Sequence, residues 1–249
     1  MQRFEGKVAF VTGAAAGIGR ATAIRLASEG ASLYLVDVAE PGLVETAALC
    51  EKEGARVGHS LCDVTGEDEV RASIQACIDL HGRLDVLCNI AGILLLDHFE
   101  KITVDRFRRV LEVNLVGTFL LCQAALPHLL ESRGNIVNTS STSALAGLAY
   151  GAAYGTSKGG VSALTRTLAV EFGKKGLRCN AVNPGSIQTA MMTDGLLPED
   201  ADPKLVLRAQ SLTRPRGPEA VAAVIAMLAS VDGIHINGEE IRVDGGTLA

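Results

Sequence analysis

Tyr154 and Lys158 stand four residues apart in Tyr-Gly-Thr-Ser-Lys, inside a stretch from Gly151 to Gly173 that reads as a helix. Four residues make about one turn, so the phenol and the ammonium share a face. A free tyrosine titrates near ~10 and a cation within ~4–6 Å favours its phenolate, so the pair can supply a base that tyrosine alone cannot. The same spacing is common on solvated helix faces and needs further signals beside it. One is Ser140-Ser141 at the end of a predicted strand, with Ser141 thirteen residues before Tyr154. The other is a glycine-rich turn near the N-terminus.

That turn is Gly13-Ala-Ala-Ala-Gly17-Ile18-Gly19, preceded by the apolar run Lys7 to Thr12 and followed by an amphipathic stretch to Glu29. Strand, glycine turn and helix form the context a phosphate-binding turn needs. Glycines permit close backbone approach, and the helix N-terminus offers unpaired N–H groups to a pyrophosphate. The first gap is one residue longer than in the usual dinucleotide fingerprint. The next apolar run, Ser32 to Asp37, ends in a carboxylate eighteen residues after Gly19, close to the ~20 expected for an acid that bonds an adenosine ribose. A 2′-phosphate there would meet like charge, and neither Ala14 to Ala16 nor Val38 supplies a basic side chain. The pattern predicts NAD(H) rather than NADP(H); the alternative is Asp37 as a capping or loop residue.

The remaining elements follow in alternation. A helix over 41–53 leads to a strand over 56–62, then Asp63-Val64 at the sheet edge where an adenine would lie, and a capped helix from about Thr65. Residues 84–89 form a strand whose turn is Asn89-Ile90-Ala91-Gly92. A long helix over 104–131 carries Pro127, predicted to kink or end it, and Asn114 in its apolar part, a buried amide that needs partners. Strands over 134–139 and 177–183 flank the Tyr154 helix, the second broken by Pro184-Gly185. Residues 186–218 read as a long loop carrying Met191, Met192, Leu196 and Leu197, suited to a lid over an apolar substrate. An alanine-rich helix over 218–230 and a strand over 239–244 close the chain. Seven strands alternating with helices, without a linker or repeat, predict one doubly wound α/β domain over 1–249.

Composition sets limits. The 249 residues are 48% hydrophobic and contain no Trp, which suits a buried parallel sheet covered by helices. A net charge of −5 without a basic cluster gives no electrostatic footprint for nucleic acid or an anionic membrane, and neither partner is expected. No secretory n-region and no apolar run of ~18 residues is seen, so a cytoplasmic protein is expected. The six cysteines lack a Cys-x-x-Cys pair and the five histidines are dispersed; buried reduced thiols and no metal site are expected.

Taken together, the chain resembles the short-chain dehydrogenases/reductases, in their single-domain oxidoreductase branch, over essentially its whole length. The resemblance rests on Thr12-Gly13-Ala-Ala-Ala-Gly17-Ile18-Gly19, Asp63-Val64, Asn89-Ile-Ala-Gly92, Asn114 in Asn-Leu-Val-Gly, Ser141, Tyr154-x-x-x-Lys158, and Asn183-Pro184-Gly185 followed by Ile187 and Thr189. It departs at Ile90, where the family usually has a second asparagine, and at Gly233 to Gly238, where an aromatic-threonine-glycine sequence is usual. The resemblance implies a Rossmann fold with a mostly parallel seven-stranded sheet and a homotetramer. Tyr154 would transfer the proton, Lys158 would depress its pKa and hold the nicotinamide ribose, and Ser141 would bond the substrate oxygen. Asn114 would position a water linking Lys158 to solvent. Gly13, Gly17 and Gly19 would cradle the pyrophosphate, Asp37 the ribose, Asp63 and Val64 the adenine, and Ile187 and Thr189 the carboxamide. Ile18, Asn89, Ala91, Gly92, Pro184 and Gly185 complete the implied coenzyme set.

The expected reaction is hydride transfer between NAD(H) and a secondary alcohol or ketone. Ala144, Leu145, Leu148, Leu94 to Leu96 and the lid methionines suggest an apolar, alicyclic or steroid-like substrate. One rival is a 3-oxoacyl-thioester reductase preferring NADPH, with Arg208, Arg214 and Arg216 meeting an anionic acyl carrier; the reading preferred for those arginines is ordinary solvated charge. Another is a non-catalytic NAD-sensing or interaction protein, against which the presence of Ser141, Tyr154 and Lys158 counts.

Overall fold

The computed structural model describes residues 2–194, 197–208 and 210–249; Leu196 of the expected lid lies outside them. Seven strands form one sheet: β1 (Val8–Thr12), β2 (Ser32–Asp37), β3 (Val57–Leu61), β4 (Val86–Asn89), β5 (Asn135–Thr139), β6 (Arg178–Pro184) and β7 (Glu240–Val243). Their order is β3-β2-β1-β4-β5-β6-β7 and every pairing is parallel. The chain runs outward from β1 to β3 and then crosses back to β4, so the strand order reverses between β1 and β4. Open α/β sheets bind ligands at such a switch point, beyond the carboxyl ends of the strands.

Helices cover both faces, which explains why β1, β4 and β5 are buried at every position; β1 reads as a nearly continuous apolar run, while the buried amides of Asn135 and Asn138 in β5 find partners in Ala229 and Thr165. Alternation within β1 divides the core: Ala9 and Val11 pack with Leu26 of α1 (Gly17–Ser28), Leu43 of α2 (Glu40–Lys52) and Ile225 of the C-terminal helix Glu219–Ala229. Val8 and Phe10 face the other side, with Ile74 of α3 (Glu67–His81) and Leu121 and Leu129 further along. There the ring of Phe10 stacks on Tyr34, its partner across the β1–β2 register, with centroids 5.6 Å apart.

The long helix expected over 104–131 is present but irregular. It consists of α4 (Val104–Leu111), a π-helical turn (Glu112–Val116) and α5 (Gly117–Ser132). Pro127 neither ends it nor marks its irregularity; α5 continues to Ser132. Pro127 and Gln123 both lie on the exposed side, where the carbonyl that proline leaves without its helical donor meets water. The irregularity falls instead on the turn that holds Asn114. By length and composition alone Val104–Ser132 could cross a membrane, but Leu121, Cys122, Ala125 and Leu129 are core residues packed toward the sheet.

Two other boundaries differ from expectation. Helix α3 starts at Glu67 with Gly66 as an N-cap that has no side chain to give; Glu69 reaches back instead to the Asp63 N–H at 2.8 Å. The span 186–218 is not wholly loop: it contains α7 (Ala190–Asp194) and α8 (Pro203–Leu207), the latter capped by Asp202, which accepts from Lys204 N at 2.8 Å. The catalytic-helix candidate is α6 (Ala152–Phe172), and α9 is the helix Glu219–Ala229. All six cysteines are buried and free.

Candidate active site

The glycine turn folds tightly between β1 and α1. Gly13 has φ +64°, and a Cβ there would sit 2.9 Å from the backbone of Ala91; one on Gly19 would strike the Gly13 carbonyl. Ala16 caps α1 without a side-chain hydrogen bond, so the first-turn N–H groups have no side-chain acceptor and can face an anion. Thr12, at the end of β1, accepts from Ile90 N at 2.9 Å and Ala91 N at 3.0 Å. That hydroxyl laces the two turns together across the switch point, a role signalled in sequence only by a polar residue ending a buried strand.

At the end of β2, Asp37 accepts from Ala15 N at 2.9 Å and from Ala39 N at 3.0 Å. It therefore shapes the glycine turn while standing where a ribose would be read. Arg20, one turn into α1, comes close to the same region but is engaged with the Ala15 carbonyl and Glu45, each at 2.7 Å. Asp63 accepts from the N–H and hydroxyl of Thr65 at 3.0 and 2.8 Å; these bonds, the backbone one first, hold its carboxyl below the usual range. Val64 is buried against Gly117, where even a methyl group would lie 2.7 Å from its Cγ2.

The chemistry-bearing cluster lies where β5 ends against α6. Tyr154 is half-buried and Lys158 is only 3% exposed. The Lys158 ammonium donates to the Thr139 carbonyl at 2.8 Å and sits 5.7 Å from the centroid of the Tyr154 ring. Ser140 and Ser141 point opposite ways: Ser140 Oγ donates to the Lys158 carbonyl at 2.9 Å, pinning the helix to the strand, while Ser141 hydrogen-bonds the Tyr154 phenol. Ser141 Oγ also accepts from Ser143 N at 3.2 Å.

Burial pushes the Tyr154 phenol above its ordinary value, and the Ser141 hydrogen bond works against that rise. In the free protein burial outweighs what lowers the phenol, and the ammonium, near the ring, is hydrogen-bonded to the Thr139 carbonyl. Burial also pushes Lys158 down to about 8. The isolated protein consequently holds Tyr154 as an acid, with its proton on.

Asn114 is fully buried and bonds the backbone of Ile93 and Ser157 Oγ. Gly92 lies between it and the ammonium: a Cβ there would be 3.1 Å from Asn114 Oδ1 and 3.4 Å from Lys158 Nζ. Asn89, by contrast, turns its amide into the core, donating to Asn138 Oδ1 at 2.9 Å. Its side chain joins a buried polar ladder rather than the coenzyme crevice.

A cavity of about 500 Å³ opens over this cluster. It brings together Ile18, Gly92, Ser141, Tyr154, Lys158, Pro184, Gly185, Ile187 and Thr189, with Leu94, Leu96, Leu148, Met191, Met192 and Leu197 on its apolar side. Gly13, Gly17, Gly19, Asp37, Asp63, Val64, Asn89, Ala91 and Asn114 are outside its lining, as are Ala144, Leu145 and Leu95. Thr247 and Leu248, unmarked by any motif, wall the cavity from the far end of the chain. Asp244 winds them inward, accepting from Gly246 N at 3.0 Å and Leu248 N at 3.2 Å. The segment expected to form a lid is joined to the rest of the domain by His98 and Asp200 at 2.7 Å and by Tyr150, whose hydroxyl accepts from Asp202 N at 2.8 Å. Arg208 lines the large cavity, whereas Arg214 and Arg216 line a separate one of about 190 Å³.

A family model described as enoyl-(acyl carrier protein) reductase matches residues 13–247. Meso-2,3-butanediol dehydrogenase of Serratia marcescens is 40% identical over 247 residues, 99% of this chain and 96% of that one. The chain belongs to the short-chain dehydrogenase/reductase family. Levodione reductase of Leifsonia aquatica is 37% identical to this short-chain dehydrogenase/reductase, covering 99% of the chain and 96% of the relative. The 3-oxoacyl-[acyl-carrier-protein] reductase of Thermotoga maritima is 36% identical, covering 99% of each. Among solved structures, a short-chain dehydrogenase from Mycobacterium paratuberculosis bound to NAD superposes with TM-score 0.92 at 30% identity, covering 98% of each chain. One from Burkholderia cenocepacia in complex with NADP gives TM-score 0.89 at 32% identity, covering 99% of this chain and 100% of that one. The short-chain dehydrogenase/reductase described here is therefore an oxidoreductase that moves hydride between a nicotinamide coenzyme and an alcohol or ketone.

Proposed function

We propose that the coenzyme is NAD(H) and that the substrate is an apolar, alicyclic secondary alcohol or its ketone. The observation that carries the reading is the Ser141–Tyr154 pair above buried Lys158, at the floor of a cavity with aliphatic walls. The glycine cradle fits a dinucleotide: side chains are excluded at Gly13 and Gly19 by contact, and the α1 N-terminus has no side-chain cap. Gly13, Gly17 and Gly19 would hold the pyrophosphate with Ile18, Ala91 and Gly92 beside it. Asp37 would bond the ribose, Asp63 and Val64 would flank the adenine, and Pro184, Gly185, Ile187 and Thr189 would receive the nicotinamide end. Asn89 would serve through its main chain, because its amide is committed to Asn138. When bound, the nicotinamide supplies or accepts the hydride.

The chain's own residues manage the proton. Ser141 accepts from Ser143 N and keeps its hydroxyl proton to donate to the substrate oxygen as charge develops there. Tyr154, held protonated, gives its proton to that oxygen in reduction and recovers it in oxidation. Lys158 places one N–H on Thr139; its others are free to hold the nicotinamide ribose and a water in the gap beside Asn114. NAD(H) preference is supported by Asp37 and by the pairing of Arg20 with Glu45, which leaves no open cation beside that carboxylate for a 2′-phosphate.

A homotetramer is also proposed, with β7, an open edge of the sheet, and α9 as contact surfaces; light scattering reads the mass. The buried free thiols suit a cytoplasmic, reducing location.

The test is a panel of cyclic, steroidal and β-hydroxyacyl alcohols with both coenzymes, followed by absorbance of the reduced form. Oxidation of cyclic secondary alcohols with NAD supports the reading. Preference for NADPH with acyl thioesters would replace it by 3-oxoacyl reduction, and preference for small polyols would refute the apolar substrate.

A further inference from the structure

We propose that Arg208 is an anchor for a carboxylate on the substrate, so that the enzyme acts on apolar oxo- or hydroxy-carboxylic acids. The inference rests on the hydride-transfer reading of the same cavity and narrows it to a substrate class.

The cavity's charge is one-sided. Among the described residues that line it, the charged side chains are Lys158 and Arg208, and no Asp or Glu is present. Lys158 is at the floor, bonded to Thr139 beneath Tyr154. Arg208 follows α8 on the lid, where Val206 of the same helix also lines the cavity. A molecule whose oxygen rests on Ser141 and Tyr154 therefore has a second cation within the same enclosure, contributed by the lid.

That second cation has no counter-charge among the described residues. Among the described residues of this acidic chain nine arginines form ion pairs, yet Arg208 has no carboxylate partner there. Two carboxylates of its own lid segment are committed elsewhere, Asp200 to His98 and Asp202 to the cap of α8. Arg214 and Arg216 of the adjoining cavity add positive charge nearby. The acid there, Asp244, has its two oxygens on Gly246 N and Leu248 N. Leu94, Leu96, Leu148 and Met192 give the same cavity apolar walls. A guanidinium presents a planar fork that matches a carboxylate in two parallel bonds, and beside low-dielectric walls that pairing outweighs its value in open water. Arg208 is itself exposed, so its charge is tolerated without a ligand. Its position favours an anionic group without requiring one for folding.

The test compares 4-oxocyclohexanecarboxylate with its methyl ester, and measures binding of unreactive cyclohexanecarboxylate to the NADH-loaded enzyme by calorimetry. The wild type is expected to favour the acid over the ester in kcat/KM by about 10- to 100-fold, with the ratio shrinking as salt rises. Arg208→Gln is expected to bring the ratio to about one, and Arg208→Lys, which keeps the charge without the fork, to an intermediate value. A preference for the ester, or an acid-to-ester ratio unmoved by Arg208→Gln, would overturn the anchor. Absence of turnover on acid, ester and cyclohexanone with either coenzyme would overturn the dehydrogenase reading beneath it. Calorimetry separates the two failures: cyclohexanecarboxylate binding that is lost in Arg208→Gln upholds the anchor, and no binding to the wild type refutes it.

Discussion

The side-chain amide of Asn114 and the main chain of Ile93 bond each other in both directions: Oδ1 accepts from Ile93 N at 2.8 Å and Nδ2 donates to the Ile93 carbonyl at 2.9 Å. The π-helical turn and the loop after β4 are thereby locked together. Gly92, one residue before, is held with its bare face toward Asn114 and Lys158. Asn114→Leu would keep the volume and strand both Ile93 groups. Since each unsatisfied buried group costs ~1–3 kcal/mol, denaturant unfolding should show a loss of ~2–4 kcal/mol. Turnover should fall with it as the Gly92 gap closes.

Tyr154→Phe keeps the ring beside Lys158 and removes the acid. Turnover is expected to drop by at least ~10², while coenzyme affinity, followed by NADH fluorescence, stays near that of the wild type. Full turnover in the variant would assign the proton to another group.

Lys158 links stability to pH. Its value in the folded protein is lowered from 10.5 to about 8, so between those limits the unfolded chain binds more protons and stability rises with pH. Below about pH 8 both states are protonated and the burial penalty is fully present. Lys158→Met removes the titration. The stability of the wild type relative to this variant should therefore climb across that window, by up to ~3 kcal/mol. Measurement from pH 7 to 10.5 covers the window, and the cysteines, common to both proteins, cancel in the difference; a flat difference would mean the ammonium is solvated.

Asp37 is expected to reject a 2′-phosphate, and Glu45 to keep Arg20 from welcoming one. Asp37→Ser should shift the ratio of kcat/KM for NADP over NAD upward by ~10-fold or more, one pair of like charges removed at close range. Affinity for both coenzymes should fall, because Ala15 and Ala39 lose their acceptor. Adding Glu45→Gln should move the ratio further. A ratio unchanged by both substitutions would remove Asp37 from discrimination.

Much of this arrangement is legible in the sequence. β1 announces itself as an almost wholly apolar run because both faces of the sheet are covered, whereas β5 hides behind its buried Asn135 and Asn138; the Tyr154–Lys158 spacing survives because one helical turn fixes it. Features set by distant partners were not legible. Asn89 turns inward because Asn138 waits on the neighbouring strand, forty-nine residues on. The π-helical turn coincides with the Asn114–Ile93 pairing, and no local pattern announces it. Lys158 is held by the main-chain carbonyl of Thr139, which carries no residue signature at all. Thr247 and Leu248 reach the cavity through the folding of Asp244 onto its own tail.

The six cysteines lie on both sides of the sheet, Cys50 and Cys88 in one layer and Cys62, Cys77, Cys122 and Cys179 in the other. Burial pushes Cys50, Cys77, Cys88 and Cys122 up to about 12, and only a thiolate reacts readily. Each sulfur is then a silent reporter that an alkylating reagent reaches only when its own layer opens. The order in which the six become labelled would chart how the enzyme breathes, one half-core at a time, without any engineered probe.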